Sequence, residues 1–167
     1  IEKGIKDSAS RISPEGGGDA ATAILTTDLV EKKTAVSIPL EGGKKIIVGG
    51  IAKGSGMIQP DMATMLAFLG TDAVIKKEVL DEVVQKANEK SFNSITVDGC
   101  QSTNDTVLLM ANGKSGMEIK KDGRYYNKFF YGVSFVMQEL AKKIVMDGEG
   151  ATKFIQIDVR GAADDIQ

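Results

Sequence analysis

The chain has 167 residues but no histidine, no tryptophan and only one cysteine, Cys100. The lack of histidine excludes Ser-His-Asp and Cys-His catalysis, histidine-based zinc sites and imidazole as an acid or base. A lone cysteine excludes a disulfide framework within the chain and is typical of a reducing compartment. Any catalytic base must therefore be a lysine, aspartate, glutamate or tyrosine side chain, or an amino terminus.

Long apolar runs and an excess of basic residues are also missing. No apolar run approaches the roughly 20 residues that a membrane-spanning helix needs. The net charge of −2 gives no basic surplus for binding nucleic acid. Hydrophobic residues make up 42% and charged residues 26%, which is ordinary for one globular domain of this length. We therefore expect neither a membrane nor nucleic acid among its partners.

Apolar periodicity predicts an alternation of helices and strands. Helices are predicted over 1–12, 19–24, 76–91 and 129–146. Strands are predicted over 34–39, 45–52, 65–71, 95–97, 106–111 and 153–161. The string EGGK over 41–44 predicts a hairpin turn between the first two strands. This order favours an α+β fold, with helices layered on a mixed or largely antiparallel sheet.

The segment before the third predicted strand has the layout of a self-cleaving threonine nucleophile. Glycines and Pro60 precede Ala63 and Thr64, and an apolar run follows. In such a site the Thr64 hydroxyl attacks the Ala63 carbonyl, and water opens the resulting ester. The α-amine released on Thr64 would have a pKa of about 7.7–8.0, suited to a base near neutral pH. The alternative is that Thr64 is only a β-branched residue that favours a strand.

Lys53 lies eleven residues before Thr64. It could hold an anionic group of a substrate, or lower the pKa of a nearby amine by like-charge repulsion. The alternative is a solvated lysine at the end of a strand. The string KGS does not form a nucleotide-binding loop, because it lacks the G-x-x-x-x-G-K-[ST] order.

Three polar clusters are open to a turn or a site role, and the turn is favoured for Thr26 and Thr27. Thr26 and Thr27 either end a short helix or direct hydroxyls into a site. In the string DGEG over 147–150, Glu149 either belongs to a plain helix terminus or binds an ammonium group. The string STND over 102–105 is either a turn or a buried polar network that holds the strand of the nucleophile.

Six strings together resemble a known family. They are AILTTD over 23–28, KGSGMI over 53–58, MATMLAF over 62–68, SFNSITVDG over 91–99, STNDT over 102–106 and DGEGATK over 147–153. In this order they are similar to the glutamate N-acetyltransferases of arginine biosynthesis, also called ornithine acetyltransferases. The resemblance covers nearly the whole chain and implies the αββα-type sandwich of the self-processing superfamily.

The resemblance implies a function and a set of site residues. The precursor would cleave between Ala63 and Thr64 into an α chain, residues 1–63, and a β chain, residues 64–167. Thr64 would take acetyl from N2-acetylornithine and pass it to glutamate by ping-pong chemistry. Thr27, Lys53, Thr64 and Glu149 match the substrate-binding residues, and neither a metal nor a cofactor is implied.

The resemblance also implies partners and a location. The α and β chains would stay together as a heterotetramer in the cytoplasm, and some family members also use acetyl-CoA as the acetyl donor. Asp61 stands where the family more often has asparagine, and Cys100 where aspartate is common. These two departures concern self-cleavage and the polar loop, respectively.

Two pieces of the family's machinery have no counterpart in residues 1–167, namely the Thr-Gly pair of the oxyanion hole and the C-terminal substrate contacts. We therefore expect a single-domain central fragment of a longer protein, inactive on its own, since an oxyanion-hole donor contributes about 10²–10³ in rate. Two alternatives are an amidohydrolase or aminopeptidase that uses the same self-processed threonine, and a truncated structural fragment without activity.

Overall fold

A four-stranded sheet covered on one face by a long helix organises the segments of the chain that the computed structural model describes, residues 1–58, 65–99 and 105–161. The helices are α1 (Glu2–Ser10), α2 (Gly17–Ala23), α3 (Lys77–Glu89) and α4 (Tyr126–Met146). The strands are β1 (Lys32–Pro39), β2 (Lys45–Lys53), β3 (Leu66–Thr71), β4 (Val74–Ile75), β5 (Thr106–Ala111) and β6 (Glu118–Ile119). Short 3-10 turns occur at Glu41–Gly43 and Phe92–Ser94. The predicted α+β class is confirmed.

The main sheet has the order β1-β2-β3-β5 and is mixed. β1 and β2 form an antiparallel hairpin in which Pro39 pairs with Lys45. Gly42 and Gly43 have φ values of 67° and 71°, so the turn needs residues without a β-carbon. β2 and β3 are antiparallel, whereas β3 and β5 are parallel. β4 and β6 form a separate short parallel pair that periodicity did not predict.

The long helix α4 supplies most of the cover for this sheet. Six of its apolar side chains are completely buried: Phe129, Val133, Val136, Met137, Leu140 and Ile144. Burying each such side chain contributes about 1.5–3 kcal/mol. Gly132 allows close contact with β1, because a β-carbon there would lie 2.8 Å from Cγ1 of Ile38. Packing therefore fixes α4 on the sheet and, with it, the residues that follow its C-terminal end.

The opposite face of the sheet is apolar and uncovered by the described residues. Ile47, Leu108 and Met110 on this face are 42%, 44% and 54% exposed. The described segments thus supply one helical layer and one sheet layer of the αββα arrangement that the resemblance implies.

Two of the short predicted strands are absent from the structure. Residues 151–161 are exposed and form no strand, although Phe154, Ile155, Ile157 and Val159 keep the apolar pattern that predicted one. Apolar alternation shows that a segment could have one apolar face. A strand also needs a neighbouring strand to form hydrogen bonds with, and the alternation does not indicate whether one is present. Residues 95–97 are not assigned to a strand. The amide of Val97 and the hydroxyl of Thr96 both donate to the carbonyl of Ile58, at 2.7 Å and 3.0 Å.

Candidate active site

A cleft of about 360 Å³ opens where β2 ends. Its walls come from the turn after α2, the loop after β2, the loop before β5 and the segment after α4. The lining residues are Thr26, Thr27, Lys53, Gly54, Ser55, Gly56, Met57, Asp98 and Glu149. The structure thus brings together three of the residues singled out in the sequence, Thr27, Lys53 and Glu149, which are far apart along the chain.

Lys53 is the last residue of β2, and only 6% of it is exposed. Its ammonium group lies 3.4 Å from the hydroxyl of Thr26. Among residues 1–58, 65–99 and 105–161, no carboxylate forms an ion pair with it. A buried ammonium without a counter-ion is costly, so this site favours an incoming anion. The alternative interpretation of Lys53 as a solvated lysine is wrong.

Thr27 does lie in a turn, and its hydroxyl also reaches the cleft. Its Oγ1 is 2.7 Å from Oγ of Ser55, which is 2% exposed. The backbone carbonyl of Ser55 accepts a hydrogen bond from the amide of Glu149 at 2.6 Å. Ser55 therefore joins two walls of the cleft. Sequence reasoning missed this residue, and its place between two glycines was the available signal.

Glu149 presents an exposed carboxylate at the mouth of the cleft. A β-carbon on Gly56 would lie 3.0 Å from Oε2 of Glu149, so the glycine leaves room for this side chain. Among the described residues the carboxylate of Glu149 has no ion-pair partner. It is therefore available to a cationic group of a ligand.

Asp98 holds the loop that follows β2 and was not singled out in the sequence. Its carboxylate accepts hydrogen bonds from the amides of Met57 at 2.6 Å and Ile58 at 3.1 Å. Met57 has a φ of 57°, a left-handed conformation that is uncommon for a residue with a β-carbon. The carboxylate thus stabilises a strained backbone just before the segment that carries the predicted nucleophile.

The predicted nucleophile Thr64 and its neighbours Ala63 and Asp61 lie outside the described residues, as do Cys100 and residues 101–104. The residue after Thr64 is described. The amide of Met65 donates to Asp105 at 2.7 Å, and its carbonyl accepts from the amide of Thr106 at 3.0 Å. These two bonds fix the entry to β3.

The entry to β3 also lies next to the loop that follows β2. The α-carbon of Met65 is 3.8 Å from the position that a β-carbon on Gly54 would occupy. Glycine at this position has a φ of 148°, a backbone conformation that residues with a β-carbon rarely adopt. Gly54 therefore permits close approach of the strand that directly follows Thr64 in the sequence.

Asp28 connects the turn after α2 to the end of β2. Burial raises the pKa of the Asp28 carboxyl. Hydrogen bonds from the Lys32 ammonium and from the amides of Gly54 and Thr26 lower this pKa by more than burial raises it, so the net pKa lies below the ordinary 3.8. The Gly54 amide lies 2.6 Å from Oδ1 and the Thr26 amide 3.3 Å from Oδ2. The ionised carboxylate is therefore the form that holds these segments together.

The described ranges contain no group of three or more histidine, cysteine, aspartate or glutamate residues that could hold a metal ion. Within the same ranges, none of the helices combines the length and apolar character that crossing a bilayer requires.

Comparison with known proteins identifies the family. The sequence model of the ArgJ family matches residues 1–167. The chain belongs to the ArgJ family. The arginine biosynthesis bifunctional protein ArgJ of Symbiobacterium thermophilum is 48% identical over 164 residues, which cover 98% of this chain and 40% of that protein. The protein of the same name from Bacillus licheniformis is 47% identical over 168 residues, which cover 100% of this chain and 41% of that protein.

A solved structure agrees with this assignment. The crystal structure of the arginine biosynthesis bifunctional protein argJ of Bacillus halodurans matches with a TM-score of 0.53 and 40% sequence identity. The match covers 54% of this chain and 43% of that one. The family resemblance drawn from the six strings is confirmed. The chain spans about two fifths of the length of the curated ArgJ relatives it matches, 40% and 41% of the two above.

The lowered pKa of Asp28 predicts a specific pH dependence of stability. Because the folded-state pKa lies below 3.8, Asp28 stabilises the fold above that pH, and this contribution is lost as the pH falls through the folded-state pKa. The difference in unfolding free energy between the parent and Asp28→Asn should therefore be constant from pH 7 to 5 and shrink below about pH 4. Urea unfolding across this range measures it.

Asp158→Asn is the matched control, because Asp158 is exposed. This variant should follow the parent at every pH. A difference between the parent and Asp28→Asn that stays the same down to pH 2 would contradict the assignment.

Proposed function

We propose that the polypeptide containing this chain is an acetyltransferase that moves an acetyl group from N2-acetylornithine to glutamate. The nucleophile is Thr64, freed as an amino terminus by cleavage of the Ala63–Thr64 bond. Membership of the ArgJ family supports this proposal. The observation that carries it is the cleft, where a buried ammonium and an exposed carboxylate face the same space.

The charges of the cleft match the donor substrate. The Lys53 ammonium lacks a carboxylate partner among the described residues and suits the α-carboxylate of N2-acetylornithine. The Glu149 carboxylate suits the ammonium at the end of the ornithine side chain. The hydroxyls of Thr27 and Ser55, 2.7 Å apart, can donate to or accept from the polar groups between them.

The reaction proceeds in two balanced halves. Oγ of Thr64 attacks the acetyl carbonyl, and its proton passes to the α-amine of the same residue. The C–N bond then breaks, the α-ammonium returns the proton to the leaving amine, and ornithine departs. The α-amine of glutamate next attacks the acetyl ester and gives up a proton to the α-amine of Thr64. The C–O bond of the ester breaks, the α-ammonium returns the proton to Oγ, and the products are N-acetylglutamate and a free Thr64 hydroxyl.

The donor N2-acetylornithine and the acceptor glutamate must bind in the same cleft, although their side chains end in opposite charges. Both have an α-carboxylate for Lys53, but ornithine ends in a cation and glutamate in an anion. Glu149 therefore attracts the first and repels the second. Because Glu149 is exposed, solvent screens its charge, and the site can still accept glutamate.

The remaining expectations from the resemblance belong to the same proposal. The α chain, residues 1–63, and the β chain, which begins at Thr64, remain associated after cleavage and assemble as a heterotetramer in the cytoplasm. Acetyl-CoA is a second acetyl donor to be tested beside N2-acetylornithine. Residues 1–167 alone have little transferase activity, and adding the rest of the full-length protein restores it.

Mass spectrometry tests the nucleophile and the donor together. Under denaturing conditions the full-length protein should give two pieces that meet at the 63/64 junction. Incubation with N2-acetylornithine should add one acetyl group to the peptide that begins at Thr64, and glutamate should remove it. Thr64→Ala is the control, and it should remain uncleaved and unacetylated.

Two outcomes of this experiment contradict the proposal. Transfer to glutamate by an uncleaved protein would exclude the N-terminal threonine. Release of free acetate at the same rate with and without glutamate would indicate the amidohydrolase instead.

Substitution of the two charged residues should separate the substrates. Glu149→Gln should raise KM for N2-acetylornithine roughly threefold to fivefold, since an exposed charge pair contributes up to about 1 kcal/mol. The same change should leave KM for glutamate unchanged or lower it. Lys53→Met should raise both KM values on the order of 100-fold, because it removes a desolvated charge partner. Steady-state kinetics on the processed protein measures these effects.

Lys44→Met is a suitable control, because Lys44 is an exposed lysine that follows the hairpin turn, away from the cleft. It should leave both KM values unchanged. An equal rise of both KM values in Glu149→Gln would show that this carboxylate does not distinguish the side chains.

A further inference from the structure

Lys32 is a buried ion that the proposed chemistry does not use. It begins β1 and is 0% exposed. Its ammonium lies 2.6 Å from Oδ1 of Asp28 and 2.6 Å from Oδ2 of Asp147, and 3.3 Å from the carbonyl of Val30. The side chains of the two aspartates are 0% and 4% exposed. We refer to Lys32, Asp28 and Asp147 as the buried triad.

Stability alone does not account for the buried triad. Removing charges from water is expensive, and replacing buried ion pairs with apolar residues often leaves stability unchanged or improves it. What a buried ionic group can provide is a fixed arrangement of the segments that it joins. The remaining hydrogen bonds of the two carboxylates show which segments these are.

Each carboxylate of the triad also accepts hydrogen bonds from backbone amides near the cleft. Asp28 accepts from Gly54 at 2.6 Å, which ties the turn after α2 to the end of β2. Asp147 accepts from Leu29 at 3.0 Å, and more weakly from Val30 at 3.5 Å, which ties the end of α4 to the same turn. The triad therefore joins three segments that are distant in sequence.

Each of these segments carries one of the polar residues of the cleft. Thr27 is adjacent to Asp28, and Lys53 is adjacent to Gly54. Glu149 lies two residues after Asp147. These three side chains reach the ligand space from separate walls, and the hydrogen bonds of the triad connect all three walls.

We propose that Lys32 is a positioning residue that sets the separation between the Lys53 ammonium and the Glu149 carboxylate, and thereby selects the length of the amino-acid side chain that the cleft binds. The inference rests on the proposed function, in which these two groups hold the opposite ends of ornithine. If the triad is loosened, the Lys53 ammonium and the Glu149 carboxylate can move relative to each other. Amino acids with longer or shorter side chains can then bind as well.

Equilibrium binding of free ornithine and lysine to the processed full-length protein tests this role. Neither ligand carries an acetyl group, so calorimetry measures binding without reaction. Lysine is longer by one methylene, and a difference of this size changes affinity by roughly tenfold or more in a fitted site. The parent should therefore prefer ornithine over lysine by about that factor.

Three variants examine the triad. Lys32→Met leaves two buried carboxylates without a cation and is expected to be unstable. The triple variant Lys32→Met/Asp28→Asn/Asp147→Asn removes all three charges and provides the test if the single variant does not fold. Either variant should bind ornithine roughly tenfold to 100-fold more weakly, because the Lys53 and Glu149 side chains are no longer held in place before the ligand binds. The preference over lysine should fall to near unity, and Lys32→Arg should keep some of it.

Val83→Ala is the control for general loosening, because Val83 is a completely buried residue of α3 that does not line the cleft. Its melting temperature should fall while the preference for ornithine stays at the parental value. The inference is overturned if the triple variant keeps the parental preference, or if Val83→Ala loses as much of it.

The same experiment separates the inference from the proposed function. A parent that binds ornithine selectively but transfers no acetyl group would contradict the function and leave the positioning role intact. A parent that transfers acetyl and whose triple variant remains selective would contradict only the positioning role. A parent that binds neither amino acid would contradict both.

Discussion

The walls of the cleft depend on one ammonium group that water does not reach. Lys32 is completely buried, and the two carboxylates that neutralise it accept amide hydrogen bonds from Gly54, Leu29 and Val30. A charge in this environment has no solvent to replace a lost partner, so the segments must keep their places together. The relative positions of three cleft walls thus follow from the requirement to neutralise a buried ion.

Apolar packing brings the triad together in the first place. The buried face of α4 lies on β1 and β2, and the close approach at Gly132 and Gly50 fixes the helix on the sheet. Asp147 directly follows the end of this helix, and Lys32 begins the strand beside it. The hydrophobic core therefore determines where the charges meet, and the charges then determine the arrangement of the loops.

Regular elements with strong periodicity were predictable from the sequence. The helices over 76–91 and 129–146 and the hairpin of β1 and β2 correspond to α3, α4 and the observed pairing, because one apolar face repeats at the helical or strand period. The prediction of a strand over 153–161 was wrong, because this segment pairs with no strand among the described residues. β4 and β6, two residues each, are too short for a periodic signal.

The site was only partly predictable, and for a different reason. Residue type and position made Thr27, Lys53 and Glu149 candidates, the family motifs favoured a site role for them, and the structure places all three at one cleft. Ser55, Asp98 and the buried triad were missed because their role depends on partners distant in sequence. Asp147 and Lys32 are 115 residues apart, and no local pattern reports such a contact.

The most direct measurement is a crystal structure of the processed full-length protein with ornithine bound. The account predicts the α-carboxylate within hydrogen-bonding distance of the Lys53 ammonium and the side-chain ammonium beside the Glu149 carboxylate. Ornithine bound in the reverse orientation, or at another place on the protein while this cleft stays free, would contradict it.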